Sequence, residues 1–123
     1  MKAAELMVGD WVCLKDDTKY ELPLKVDGVL TDDISLEGEG FLGGAEGLIR
    51  PIPITPEILE ENGWLWYDVV DMWQHDKADF GIERWNGGFQ CYNINQIKLD
   101  SVHQLQHALR LCGFNELANN FKV

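Results

Sequence analysis

The chain has 123 residues, 21 of them acidic and 10 basic, giving a formal net charge of −11 at pH 7. At 46% hydrophobic and 11% aromatic it carries enough apolar side chain to bury a core, which excludes intrinsic disorder and dependence on covalent staples. The acidic excess works against nucleic acid or an anionic membrane as ligand, because binding either needs a cationic footprint.

Short β-type runs separated by turn signals fill the first fifty residues. Trp11-Val12-Cys13-Leu14 and residues 20–26 read as strands, and Asp27-Gly28 before Val29-Leu30 reads as a hairpin turn. Ile34-Ser35-Leu36 is a further short strand, followed by a glycine-rich stretch over 38–47 and then Leu48-Ile49 and Pro51-Ile52-Pro53-Ile54. Such spacing predicts a small, strongly bent sheet of the SH3-like barrel kind. Thr55 then offers an N-cap, Pro56 occupies the first helical position, Glu57 suits the positive end of the helix dipole, and Gly63 supplies a left-handed stop. Trp64 falls where a Schellman motif places an apolar contact to Leu59.

Residues 64–70 continue in β-type side chains. Residues 80–85 and 89–94 flank Asn86-Gly87-Gly88 as a second hairpin, and Ile97-Lys98-Leu99 reads as a last strand. In the C-terminal segment Val102, Leu105, Leu109 and Cys112 recur at helical spacing, Ser101 with Gln104 matches a capping box, and Gly113-Phe114 repeats the earlier stop. Asn115 is positioned to cap a final turn reaching Leu117 and Phe121. The chain thus reads as one α+β domain over 1–123: a strand-rich part 6–54, a helix 55–62, strands within 64–99, an amphipathic helix 101–112 and a terminal turn 115–121.

No apolar stretch follows Met1-Lys2 before Gly9-Asp10, so a secretory signal is not expected. The apolar run 64–67 is far shorter than the roughly 20 residues of a membrane span. Cys13, Cys91 and Cys112 are odd in number and lack C-x-x-C spacing, which disfavours a disulfide framework or a zinc ribbon. Reduced thiols in a cytoplasmic protein are the expectation.

Four patterns bear on chemistry. His103 and His107 stand one helical turn apart, the spacing of a zinc-binding helix, with Glu116 the one downstream candidate for a third ligand. The glutamate that acts as base in H-E-x-x-H enzymes is replaced by Gln104, whose amide takes no proton, and Gly113 occupies the position of a metzincin third histidine. On a helical wheel His103, His107 and Arg110 lie opposite the apolar stripe, so a solvated polar face is expected there. Gly38-Glu39-Gly40-Phe41-Leu42-Gly43 matches G-x-G-x-x-G, but its context lacks the helix whose N-terminus holds a pyrophosphate, and a loop is expected instead. Asp68, Asp71, His75, Asp76 and Asp79 crowd into a short segment without calcium-loop spacing, as an acidic loop between strands would. Of the five tryptophans, most are expected in the core, with Trp73 and Trp85 the candidates for an exposed aromatic platform.

Three segments together carry a resemblance: Leu6-Met7-Val8-Gly9-Asp10-Trp11-Val12, Pro51-Ile52-Pro53-Ile54-Thr55-Pro56-Glu57-Ile58-Leu59 and Val102-His103-Gln104-Leu105-Gln106. Their order and spacing resemble a family of small uncharacterised proteins encoded in Bacteroidetes genomes, phages and integrated elements. The resemblance implies no activity. Members often carry Asn at the position of His107, which weakens a metal pair, and the Gly9-Asp10-Trp11-Val12 opening also resembles the first strand of SH3-like barrels.

These readings lead to a non-enzymatic cytoplasmic interaction protein without cofactor. It would bind a basic protein partner through an acidic, aromatic surface, with Trp73, Trp85, Asp76 and Asp79 as partner-binding candidates. Two alternatives are a decoy that imitates nucleic acid, which needs carboxylates in rows on one face, and a metal-binding protein or enzyme using His103 and His107.

Overall fold

The computed structural model, which describes residues 3–15, 21–30, 33–42, 49–94 and 97–123, builds antiparallel sheets from the β-branched and aromatic runs and short helices from the capped ones. That is the α+β class the sequence implies. Two compact units, Met1–Ile52 and Pro53–Val123, divide the chain within the Pro51-Ile52-Pro53-Ile54 segment.

In the first unit, β1 (Trp11–Lys15), β2 (Glu21–Val29), β3 (Ile34–Leu36), β4 (Gly40–Leu42) and β5 (Ile49–Arg50) form an antiparallel sheet in the order β4-β3-β2-β1-β5. Asp27-Gly28 is not a hairpin turn. The strand continues through it, pairing with β1 up to Trp11↔Lys25 and with β3 from Val26↔Leu36, with the register shifting between Val26 and Gly28. A hairpin turn of the type this dipeptide favours needs positive φ at both central residues, and neither Asp27 nor Gly28 has it. The extra residue makes a β-bulge, which bends the strand and raises its twist, so one long strand serves both ladders of a curled sheet.

Leu6, Val12, Val26, Ile34, Leu36 and Ile49 are buried together, with Leu14, Leu24 and Val29 against them. The Gly9-Asp10 opening is structural: Gly9 at φ +94° lets its N–H reach the Val26 carbonyl at 2.7 Å, and Val26 N–H donates back to Asp10 O at 2.8 Å. The buried Asp10 carboxylate accepts the Met7 N–H at 2.8 Å. The G-x-G-x-x-G match is only partly the expected loop: Gly38 and Glu39 lie in the tight β3–β4 connection, closed by Leu36 pairing with Gly40, whereas residues 40–42 are strand β4, and Gly38 and Gly40 take φ of +82° and +71°. Gly43, Gly44 and Gly47 lie outside the described residues, as does the start of the 20–26 run.

The second unit opens with α1 (Pro56–Glu61), where Thr55 Oγ1 accepts the Ile58 N–H at 3.2 Å, as the sequence requires of a cap. Gly63 follows at φ +93° and the chain enters a sheet ordered β6 (Trp64–Tyr67), β7 (Met72–His75), β8 (Gly81–Trp85), β9 (Gly88–Cys91). The strand expected over 64–70 stops at Tyr67, because residues 68–71 make the β6–β7 turn, with Asp71 at φ +51°. The β8–β9 hairpin closes on Trp85↔Gly88, so its loop is Asn86-Gly87 alone, at φ +49° and +78°. Ile97-Lys98-Leu99 contributes one bridge, Gln90↔Lys98, rather than a strand.

α2 (Val102–Leu111) begins on the Ser101/Gln104 capping box. It ends on a complete Schellman motif: Phe114 N–H donates to Leu109 O at 2.8 Å and Gly113 N–H to Arg110 O at 3.0 Å, with Gly113 at φ +86°. α3 (Asn115–Asn119) follows, with Phe114 rather than Asn115 at the cap position. Val102, Leu105 and Leu109 are buried as the stripe predicts, while Cys112 is only half-buried. No helix among the described residues is long and apolar enough to cross a membrane.

Candidate functional site

Trp64 organises the second unit. It is fully buried, its indole N–H donates to the Phe80 carbonyl at 3.2 Å, and its ring meets His75, Phe80 and Phe121 at centroid distances of 4.7, 6.2 and 6.2 Å. Beside it the backbone N–H of Lys77 donates to His75 Nδ1 at 3.0 Å, so that nitrogen is the acceptor. Nε2 then carries the hydrogen and donates to the Asn62 carbonyl at 2.8 Å. The Asn62 side chain clasps the C-terminal segment in turn, its amide donating to Lys122 O and its carbonyl accepting from Lys122 N, both at 2.8 Å.

An open groove of about 750 Å³ runs past His75, Lys77, Phe114, Glu116 and Asn120. It offers a cation, an anion and amides side by side, with no convergent set of one chemistry.

His103 and His107 do come together, with ring centroids 5.7 Å apart and edge to face. The expected solvated face is corrected: His103 is 7% exposed, with Nδ1 3.0 Å from Ser101 Oγ, and His107 and Arg110 are half-buried. Gln106, on the same helix, is fully buried and donates to Ala118 O at 3.0 Å, tying α2 to α3. The wheel misplaces His103 because a ten-residue helix covered along more than one side has no single wet face. Glu116 is exposed, and no group of three or more His, Cys, Asp or Glu suited to a metal ion occurs among the described residues.

Trp73 is corrected as well. It is 7% exposed and lies 5.5 Å from Trp66, while the side chain of Trp85 lies outside the described residues. The acidic segment is not one loop: it contains β7, whose Met-Trp-Gln-His sequence gives little periodic signal. Asp68 and Asp71 sit at one end of that strand, and Asp76 and Asp79 at the other, and all four are exposed. Asp76 Oδ1 lies 3.4 Å from His75 Nδ1.

Exposed apolar side chains recur along the chain, among them Val8, Leu30, Tyr92 and Leu111, and four fall close together in sequence on one hairpin. Leu65, Tyr67, Val69 and Val70 on the β6–β7 hairpin are all exposed, Val69 to 98%, beside Asp68 and Asp71. Strand alternation puts Leu65 and Tyr67 on the face opposite Trp64 and Trp66, a signal present in the sequence but masked by four consecutive large apolar residues. Trp66 is held at the edge by three contacts: the Trp73 ring, the Arg84 guanidinium 4.2 Å above its own ring, and Asp68, which accepts its indole N–H. Burial pushes the Cys91 thiol upward in pKa, against backbone hydrogen bonds from Ile94 and Asn93 that lower it. A thiol kept neutral this way is a poor nucleophile. No family model, curated protein or solved structure matches the chain.

Proposed function

We propose that the protein is a cytoplasmic, non-enzymatic interaction module that binds a basic protein partner through the β6–β7 hairpin. The observation that carries this reading is the exposure of Leu65, Tyr67, Val69 and Val70 within a few residues of Asp68 and Asp71. Contiguous exposed apolar side chains are unusual on a monomer's surface and mark contact sites. Here they supply area to bury, while the carboxylates and the charge of −11 steer a cationic partner and repel a polyanion.

The test compares wild type with a Tyr67→Ser/Val69→Ser/Val70→Ser variant in capture experiments at about 50 and 300 mM salt, conditions whose screening lengths differ about 2.4-fold. A partner held by wild type at low salt, weakened at high salt and lost from the variant is the expected result. Capture indifferent to the variant refutes the assignment.

A further inference from the structure

We infer that the partner docks as an extended strand on the outer edge of β6, through a segment alternating apolar residues with Lys or Arg; this rests on the interaction reading above. Among the described residues β6 is the terminal strand of its sheet. The phase of the ladder says which backbone groups face outward. Asp76 N–H donates to Gly63 O at 3.1 Å, whereas His75 N–H turns the other way to Phe80 O at 3.4 Å. Such roles alternate residue by residue in an antiparallel ladder, so Leu65 and Tyr67 bond β7 and Trp66 directs its N–H and C=O away from it.

That edge is already rigid. The Trp66 ring is fixed by Trp73, Arg84 and Asp68, which lowers the ordering cost of adding a strand. Edge strands in soluble proteins usually carry Lys, Pro or a bulge that blocks pairing, and the sequence of β6, Trp-Leu-Trp-Tyr, has none.

Charge selects the occupant. Exposed Glu60 and Glu61 precede the strand, and exposed Asp68 and Asp71 follow it, so carboxylates bracket a four-residue apolar edge. In an antiparallel pairing with a second copy, the acidic flank of one edge would be brought toward the acidic flank of the other, and like charges placed together disfavour the pair. An added strand with cations near its ends meets opposite charge at both, and its apolar residues on the outer face meet Leu65 and Tyr67.

The test titrates the full chain with a short labelled peptide of alternating valine and lysine, with a proline-interrupted peptide and a valine–glutamate peptide as comparisons. The valine–lysine peptide is expected to bind and to protect the Trp66 amide from hydrogen exchange. Losing the paired backbone bonds should weaken the proline-interrupted peptide about tenfold, and the glutamate peptide should not bind. Leu65→Ser, checked for an unchanged unfolding midpoint, should weaken the valine–lysine peptide. Equal binding of the proline-interrupted peptide, an unprotected Trp66 amide, or a dimer of the free chain that Leu65→Ser dissolves would each overturn strand docking. If hairpin-dependent capture persists while the peptide fails, only the docking mode falls; if capture ignores the hairpin, both do.

Discussion

Replacing Gly63 by Ala should be among the most damaging single-methyl additions in the second unit. Gly63 has φ +93°, and a Cβ built there would lie 2.7 Å from His75 Nε2. The backbone strain alone costs an L-residue about 1–2 kcal/mol. An imidazole on a loose side chain would swing away at little expense, but His75 is bonded at both nitrogens, to Asn62 O and Lys77 N at 2.8 and 3.0 Å, and sits edge-on to Trp64. Moving it forfeits one or both bonds, about 1 kcal/mol each, so the total is about 2–4 kcal/mol.

Gly113 is the internal control. Its φ is +86° and nothing lies within 4 Å of the point a Cβ would occupy there, so Gly113→Ala should lose only the strain, about 1–2 kcal/mol. Urea denaturation followed by tryptophan fluorescence reads the difference, since Trp64, Trp66, Trp73 and Trp85 all belong to this unit. In a double-mutant cycle with His75→Ala, the Gly63→Ala cost should fall by about 1 kcal/mol or more. Equal losses at Gly63 and Gly113, or a cycle with no coupling, would refute the account of a pinned imidazole.

Three further outcomes follow from burial. Gln106→Ala should cost about 2–3 kcal/mol, combining a cavity with a lost hydrogen bond, while Gln106→Leu, which keeps the volume, should cost about 1 kcal/mol; chemical denaturation distinguishes them, and a negligible loss for Ala means the α2–α3 tie is idle. Native thiol labelling should modify half-buried Cys112 well before Cys13 and Cys91. Because folding raises the Cys91 pKa, the unfolded chain releases that proton first, so its contribution is intact at neutral pH and declines as pH climbs through and beyond the ordinary thiol range. A Cys91→Ala variant should show a shallower alkaline loss of stability than wild type.

Local signals explain what could be read without coordinates. Thr55, Pro56 and Gly63 determine the ends of α1, Ser101, Gln104 and Gly113 those of α2, and Asn86-Gly87 the β8–β9 turn, because each satisfies orphan backbone groups or a positive φ within a few residues. The α+β class follows from the same signals. Tertiary pairing decided the rest. Asp27-Gly28 carries the residues of a turn yet bulges within β2, since that strand pairs with two neighbours at once. Met72-Trp73-Gln74-His75 lacks strand periodicity yet is a central strand, because β6 and β8 flank it on both sides. His103 and Trp73 are buried by residues distant in the chain, a cover no helical wheel or local pattern can count, and the surface left exposed on β6 becomes visible only once Trp64 has taken the core side of the strand. The sequence, likewise, places carboxylates on both sides of Trp64–Tyr67, but only the strand pairing made that segment the edge of its sheet.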